Sequence, residues 1–171
     1  MMLPFKRILC PTDFSDTSCD ALHTAAELAL YFRAELTVLH VVPLVPVITS
    51  TANELGMVTA TVNQPEASGR TRREAEMLLA EVVRDHVPHS VTLHLMVVSG
   101  DPAPAILEVA AKLDADAVVI ATQGRTGWRR FIFGSVAERV VRCAECPVLT
   151  IHGRQDTAPS VGAEADATIE A

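Results

Sequence analysis

A glycine-bearing segment in the second half of the chain carries residues suited to binding an anion. Gly124, Gly127 and Gly134 follow a short apolar run at 117–120, and Ser135 stands where a helical pattern of apolar residues begins. Backbone N–H groups beside glycines can approach an anion closely, and the first N–H groups of a helix are unpaired and carry partial positive charge. The segment therefore predicts a phosphate-binding site.

The same segment contains three arginines. Arg125, Arg129 and Arg130 could form charge-assisted hydrogen bonds with phosphate oxygens, or they could be solvated loop side chains. From the residues alone we favour the solvated interpretation for Arg125 and leave both interpretations open for the other two.

The rest of the chain predicts the elements that position this segment. Apolar runs predict strands at residues 5–10, 35–42, 91–98, 117–122 and 147–152. Helical patterns lie between them, at 15–33, 67–86, from 102 onwards and at 136–142. In the second of these helices, Ala75, Leu78, Val82 and Val83 are expected on one apolar side. Because strands that alternate with helices form parallel sheets with right-handed crossovers, the predicted fold class is α/β. A turn at 11–15 precedes the first helix, with Ser15 or Asp16 as its N-cap.

The motifs around the glycines resemble those of the universal stress protein family. Its pattern is usually written G-x2-G-x9-G-[ST], and Gly124, nine further residues and Gly134-Ser135 match it. Further motifs that look like that family are RTG at 125–127, SVAER at 135–139 and CPVL at 146–149. The first glycine of the pattern is Ala121 here. The resemblance extends from about residue 5 to residue 151.

This resemblance implies a particular architecture. We expect a three-layer, Rossmann-like domain of the adenine nucleotide alpha hydrolase-like type, with helices on both faces of a five-stranded parallel open sheet. The implied strand order is 3-2-1-4-5, which the residues alone do not determine. In such sheets the ligand crevice lies at the carboxyl ends of the strands where the order reverses. Residues 11–13 and 121–124 would face each other there.

The resemblance also implies a ligand. Family members that bind ATP hold its phosphates with the loop glycines and the serine, so we expect ATP here, with Mg²⁺ or Mn²⁺ carried by the phosphates. Asp13 would approach the ribose, and the backbone of Val41 would meet adenine. The expected cofactor-binding residues are Pro11, Thr12, Asp13, Val41, Ile120, Ala121, Gly124, Arg125, Gly127, Gly134, Ser135, Val136 and Ala137.

Three of these positions have alternative interpretations. Asp13 could instead satisfy N–H groups of its own turn, and Ser135 could be a simple helix N-cap. Ala121 would cost about 1–2 kcal/mol if its position needs a positive φ. In strand geometry, its methyl group would only crowd the ribose.

Composition and motifs argue against several other functions. The net charge of −7 disfavours a general nucleic-acid or anionic-membrane surface. No targeting segment is visible and no apolar run approaches the roughly 20 residues of a membrane span, so we expect a cytoplasmic protein. Cys143 and Cys146 close a helix, which favours packing over a redox or metal-binding role. We expect neither catalytic residues nor a protein-held metal, and slow ATP hydrolysis stays open.

The predicted organisation is one domain followed by a tail. The domain covers residues 1–152, in which 43–66 is expected to be a long mobile loop, and 153–171 is expected to be a disordered acidic tail. The strand at 147–152 would lie at a sheet edge and contains no Lys, Arg, Asp or Glu. Such an edge predicts a homodimer that pairs through this strand, unless the tail covers it.

The leading hypothesis is a cytoplasmic, ATP-binding universal stress protein that acts as a nucleotide-responsive, dimeric regulator of the stress response. The alternative is a dimeric interaction module of the same fold that binds no nucleotide. An ATPase or phosphotransferase is least favoured, because no general base is evident near the glycine segment.

Overall fold

The computed structural model describes residues 4–43, 48–53, 56–61, 65–122 and 134–152. Along the chain its helices and strands are β1 Arg7–Thr12, α1 Asp16–Phe32, β2 Glu35–Val42, β3 Ile48–Asn53, β4 Gly56–Thr61, α2 Pro65–His86, β5 Thr92–Ser99, α3 Pro102–Lys112, β6 Ala117–Ala121, α4 Ser135–Cys143 and β7 Val148–Ile151. Strand β1 therefore includes Pro11 and Thr12, which the sequence placed in the turn after it.

The main sheet has five parallel strands in the order β5-β2-β1-β6-β7. This is the predicted order 3-2-1-4-5 when the strands of this sheet are numbered along the chain, and β7 lies at an edge as expected. All six residues of β1 are in register with β2. The ladder between β1 and β6 includes only Ile8 with Ala117 and Leu9 with Val118, so these two strands diverge toward their carboxyl ends.

Helices cover both faces of this sheet, which confirms the three-layer architecture. Helices α1 and α2 pack on one face, where Ile8 and Cys10 of β1 are buried. Helices α3 and α4 pack on the other face, where Leu9 is buried. Consecutive side chains of a strand point to opposite faces, so a strand covered on both sides must be apolar throughout.

Local signals explain where the first helices begin and which side they bury. The predicted N-cap Ser15 accepts a hydrogen bond from Ser18 N at 3.2 Å, and Arg33 ends α1 in the left-handed conformation with φ 55°. In α2 the buried side chain is Leu79, whereas Leu78, predicted on the buried face, is 45% exposed. The prediction was wrong because the buried side follows the spacing of Ala75, Leu79 and Val83.

The segment 43–66 contains regular structure that the sequence analysis did not predict. Strands β3 and β4 pair antiparallel, with Ile48 in register with Thr61 and Asn53 with Gly56. The physical reason lies in the composition, because valine, isoleucine and threonine are common here and the prolines stand only outside the two strands. The expectation of a long loop was therefore wrong for residues 48–53 and 56–61, and residues 44–47, 54–55 and 62–64 lie outside the described residues.

No helix within the described residues is long and apolar enough to cross a membrane. The predicted tail over 153–171 lies outside the described residues.

Candidate functional site

A cavity of about 310 Å³ opens where β1 and β6 diverge. It lies at the carboxyl ends of the strands between which the strand order reverses, the usual place for a ligand in an open α/β sheet. Its lining residues are Pro11, Thr12, Asp13, Ser18, Leu39, Val41, Pro102, Ile106, Ile120, Ala121, Thr122, Gly134, Ser135, Val136 and Ala137. The walls are largely apolar, and hydroxyl groups, one carboxylate and a helix N-terminus supply the polar groups.

The turn after β1 is held by a chain of hydroxyl groups. Ser18 Oγ donates to Ser15 O at 2.8 Å, so the 2.9 Å bond between Thr12 Oγ1 and Ser18 Oγ has Thr12 as its donor. Thr12 Oγ1 in turn accepts from Phe14 N at 3.1 Å. Phe14 adopts a positive φ of 63°, an uncommon conformation for a bulky residue. The hydroxyl groups of Thr12 and Ser18 therefore shape the turn from beneath the cavity.

The ring of His40 supports this turn from strand β2. His40 Nδ1 lies 2.9 Å from Thr12 O, and the ring stacks on Phe14 at a centroid distance of 4.2 Å. Because a carbonyl oxygen can only accept, Nδ1 must carry the proton. His40 itself is half-buried.

Asp13 belongs to the turn after β1 and also lines the cavity. Its Oδ1 accepts hydrogen bonds from Ser15 N at 3.1 Å and from Ser15 Oγ at 2.6 Å, so the carboxylate stabilises its own turn. The same half-buried residue lines the cavity. Local hydrogen bonds thus orient a carboxylate at the cavity wall, where it could accept from ligand hydroxyl groups.

The opposite wall is built where β6 ends and α4 begins. Thr122 is fully buried, and its backbone N–H donates to Ile151 O at 2.9 Å. Its carbonyl oxygen accepts from Gly134 N, so the first residue after β6 holds the residue that precedes α4. A Cβ atom on Gly134 would lie 3.0 Å from that carbonyl oxygen. Close backbone approach therefore favours glycine here.

Helix α4 presents its N-terminus to the cavity. Gly134 is the N-cap, no side chain caps the helix, and Ser135, Val136 and Ala137 all line the cavity. The first backbone N–H groups of a helix lack intrahelical acceptors and carry partial positive charge. Within the part of the chain that the structure describes, this is the arrangement at the cavity best suited to an anion.

Ala121 lies in strand β6, in register with Ile151 of β7. It is not among the non-glycine residues with positive φ, which are Phe14, Arg33 and Asp114. Of the two alternatives raised for this position, the structure therefore supports ordinary strand geometry. Ala121 therefore lines the cavity without backbone strain.

The structure brings most of the predicted site residues together around one cavity. Pro11, Thr12, Asp13, Val41, Ile120, Ala121, Gly134, Ser135, Val136 and Ala137 all line it. Gly124, Arg125 and Gly127, and with them Arg129 and Arg130, lie outside the described residues. Whether the lining residues bind nucleotide stays a prediction.

Five lining residues were not predicted from the sequence: Ser18, Leu39, Pro102, Ile106 and Thr122. Leu39 lies two residues before Val41 in β2, so the two side chains are on the same face of the sheet. Strand alternation could therefore have predicted Leu39 from Val41. Pro102 and Ile106 come from α3, whose position over the cavity depends on the sheet order.

The cysteines give no sign of redox or metal chemistry. Cys143 is exposed and Cys146 is half-buried, so only Cys146 fits the predicted packing role. Burial raises the pKa of the Cys146 thiol, and burial raises that of Cys10 to about 12. Among the residues that the structure describes, no group of three or more His, Cys, Asp or Glu side chains could hold a metal ion.

A model of the universal stress protein family matches residues 4–152. The chain belongs to the universal stress protein family. Universal stress protein MJ0531 of Methanocaldococcus jannaschii is 35% identical over 147 residues, which cover 86% of this chain and 82% of that protein.

Solved structures show the same universal stress protein fold. Protein MJ0577 of the same organism matches with a TM-score of 0.69 at 21% identity, over 88% of this chain and 98% of that one. A universal stress protein in complex with cAMP has a TM-score of 0.60 at 21% identity, covering 88% and 98% of the two chains. A universal stress protein from Archaeoglobus fulgidus in complex with dAMP matches with a TM-score of 0.53 at 23% identity. The match covers 87% of this chain and 98% of that one.

Proposed function

We propose that this universal stress protein is a cytoplasmic, ATP-binding regulator of the stress response that acts as a nucleotide-responsive homodimer. The observation that carries the proposal is the uncapped N-terminus of α4, which lines the cavity between β1 and β6. The first N–H groups of a helix suit phosphate oxygens. The proposal concerns binding of ATP and not its hydrolysis. Phosphate released from Mg-ATP in the presence of the protein would measure any slow hydrolysis.

The other walls of the cavity suit the remaining parts of an adenine nucleotide. Leu39, Val41 and Ile106 offer apolar surface to a base, and Asp13 offers a carboxylate oriented by Ser15 to ribose hydroxyl groups. Two universal stress proteins of this fold were solved with adenine nucleotides, cAMP and dAMP, which supports an adenine ligand here. Backbone groups near Val41 would read the adenine edge and disfavour guanine.

A divalent metal would arrive with the nucleotide. The described residues contain no cluster of three or more acidic, histidine or cysteine side chains within reach of one ion. We therefore propose that Mg²⁺ or Mn²⁺ is coordinated chiefly by the phosphates, as is common for Mg²⁺ in nucleotide sites.

The proposed dimer forms through edge strand β7. Leu149 of this strand is 42% exposed, and among the described residues β7 pairs only with β6. A second copy related by a twofold axis would add an antiparallel neighbour and satisfy the free backbone groups of the edge.

Thermal unfolding with and without Mg-ATP tests the proposal. At 100 times its Kd, a ligand adds about 2.7 kcal/mol, which raises the Tm of a chain of this size by roughly 5–10 °C. Mg-GTP at the same concentration should raise the Tm less, and Mg²⁺ alone is the control. An unchanged Tm at millimolar Mg-ATP would instead favour the alternative function, a dimeric interaction module that binds no nucleotide. The alanine at position 121, where the family pattern has glycine, is compatible with that alternative.

A further inference from the structure

One chain of hydrogen bonds joins the edge strand β7 to the start of helix α4. His152 Nδ1, just beyond β7, lies 2.8 Å from Thr122 Oγ1, and Thr122 O accepts from Gly134 N. Thr122 is also bonded to Ile151, whose carbonyl oxygen is 2.9 Å from Thr122 N and 3.3 Å from Thr122 Oγ1. A fully buried threonine thus contacts the edge strand with its side chain and the helix cap with its carbonyl group.

The donors of this chain follow from the chemistry of a hydroxyl group. Thr122 Oγ1 has one proton, and directing it at Ile151 O leaves Oγ1 as the acceptor from His152. Both bonds exist together only when His152 Nδ1 carries a proton. In that state His152 Nδ1 and Gly134 N each donate to Thr122, and Thr122 donates to Ile151 O through its hydroxyl and its backbone N–H.

We propose that Thr122 and His152 are positioning residues for the N-terminus of α4, through which the edge strand β7 influences anion binding in the cavity. The inference rests on the proposed function for the identity of the anion, a nucleotide phosphate, and for the dimer that pairs through β7. It gives the protein a physical route by which pairing of β7 with a second copy can change the nucleotide site, since Ile151 and His152 lie at the end of that edge.

The first test measures backbone hydrogen exchange by NMR in the full chain. Thr122→Val removes the hydroxyl group and keeps the shape, and His152→Ala removes its partner. Each should speed exchange of the Gly134 amide about fivefold, the equivalent of one typical hydrogen bond. Thr122→Ser restores the hydroxyl and should exchange as the wild type does. Thr150→Val, the same chemical change on β7 away from this chain of bonds, should also have no effect.

The second test measures Mg-ATP affinity of the same variants by calorimetry. Thr122→Val and His152→Ala should raise the Kd about fivefold, while Thr122→Ser and Thr150→Val leave it unchanged. The inference is overturned if the Gly134 amide exchanges at the wild-type rate in Thr122→Val. It is also overturned if that amide exchanges faster while the Kd for Mg-ATP is unaltered. A wild-type protein that binds no Mg-ATP defeats the proposed function instead, and the exchange measurements then decide alone whether Thr122 positions the helix.

Discussion

The backbone N–H of Gly134 donates to the carbonyl oxygen of Thr122, and the two residues approach so closely that a Cβ on Gly134 would stand 3.0 Å from that oxygen. Gly134 has φ −70° and ψ 153°, a conformation open to any residue. Glycine is therefore favoured by the close contact with Thr122 and not by an unusual backbone angle. The same contact sets where the N-terminus of α4 meets the cavity.

Gly134→Ala should destabilise the protein by about 1–3 kcal/mol, because the added methyl group must displace a backbone carbonyl in a packed site. Chemical denaturation of the purified protein measures this. The substitution should also weaken Mg-ATP binding, since α4 would shift with its cap. A variant as stable as the wild type would contradict the close approach of Gly134 to Thr122.

Ala121→Gly should have opposite effects on stability and on binding. Ala121 lies in β6, and a glycine inside a strand costs roughly 0.5–1 kcal/mol relative to alanine. Loss of the methyl group from the cavity wall should let the ribose approach more closely and lower the Kd for Mg-ATP. Denaturation and calorimetry on one preparation measure both effects, and an unchanged or higher Kd would show that the methyl group does not hinder the ligand.

Leu149→Lys should weaken the proposed homodimer by at least about tenfold in Kd, because like charges would meet or be buried across the twofold axis. Sedimentation or light scattering at micromolar concentration measures the mass. Leu95→Lys is a matched control, since Leu95 is 46% exposed on β5, the opposite edge of the same sheet. Equal effects of the two substitutions, or a monomeric wild type, would argue against pairing through β7.

Asp116 should make stability depend on pH in the acid range. Partial burial raises the pKa of this carboxyl group, but hydrogen bonds from the backbone N–H groups of Lys6 and Arg7, both 2.8 Å, lower it overall. A lowered folded-state pKa contributes stability above the unfolded value of about 3.9, and that stability is lost as the pH falls through the folded-state pKa.

Asp116→Asn should therefore reduce stability at neutral pH by roughly 0.5–1.5 kcal/mol and flatten the loss of stability below about pH 4. Urea denaturation at a series of pH values compares the two proteins. Asp114→Asn is a control in the same turn, where the carboxylate meets only the exposed side chain of Arg7 at 3.4 Å. Parallel pH profiles for wild type and Asp116→Asn would refute the role of Asp116.

Most helices and strands, and the site residues in the turns before α1 and α4, could be predicted from the sequence because their signals are local. The N-cap Ser15, the strand Glu35–Val42 and the turn residues before α1 and α4 are marked by neighbours within a few positions. The hairpin of β3 and β4 was missed because threonine- and alanine-rich strands show weak alternation. Leu78 was misplaced in α2 because adjacent leucines satisfy nearly the same helical period.

By itself, the sequence determined that this protein alternates strands with helices and that glycine and serine begin α4 beside a β-strand, since hydrophobic periodicity and caps act over one or two turns of chain. Only the tertiary structure decided that Ile106 of α3 closes the cavity, and that the buried Thr122 joins Gly134 to His152. Those contacts join residues from different elements, and their distances depend on how the sheet orders and twists its strands, which no local pattern records.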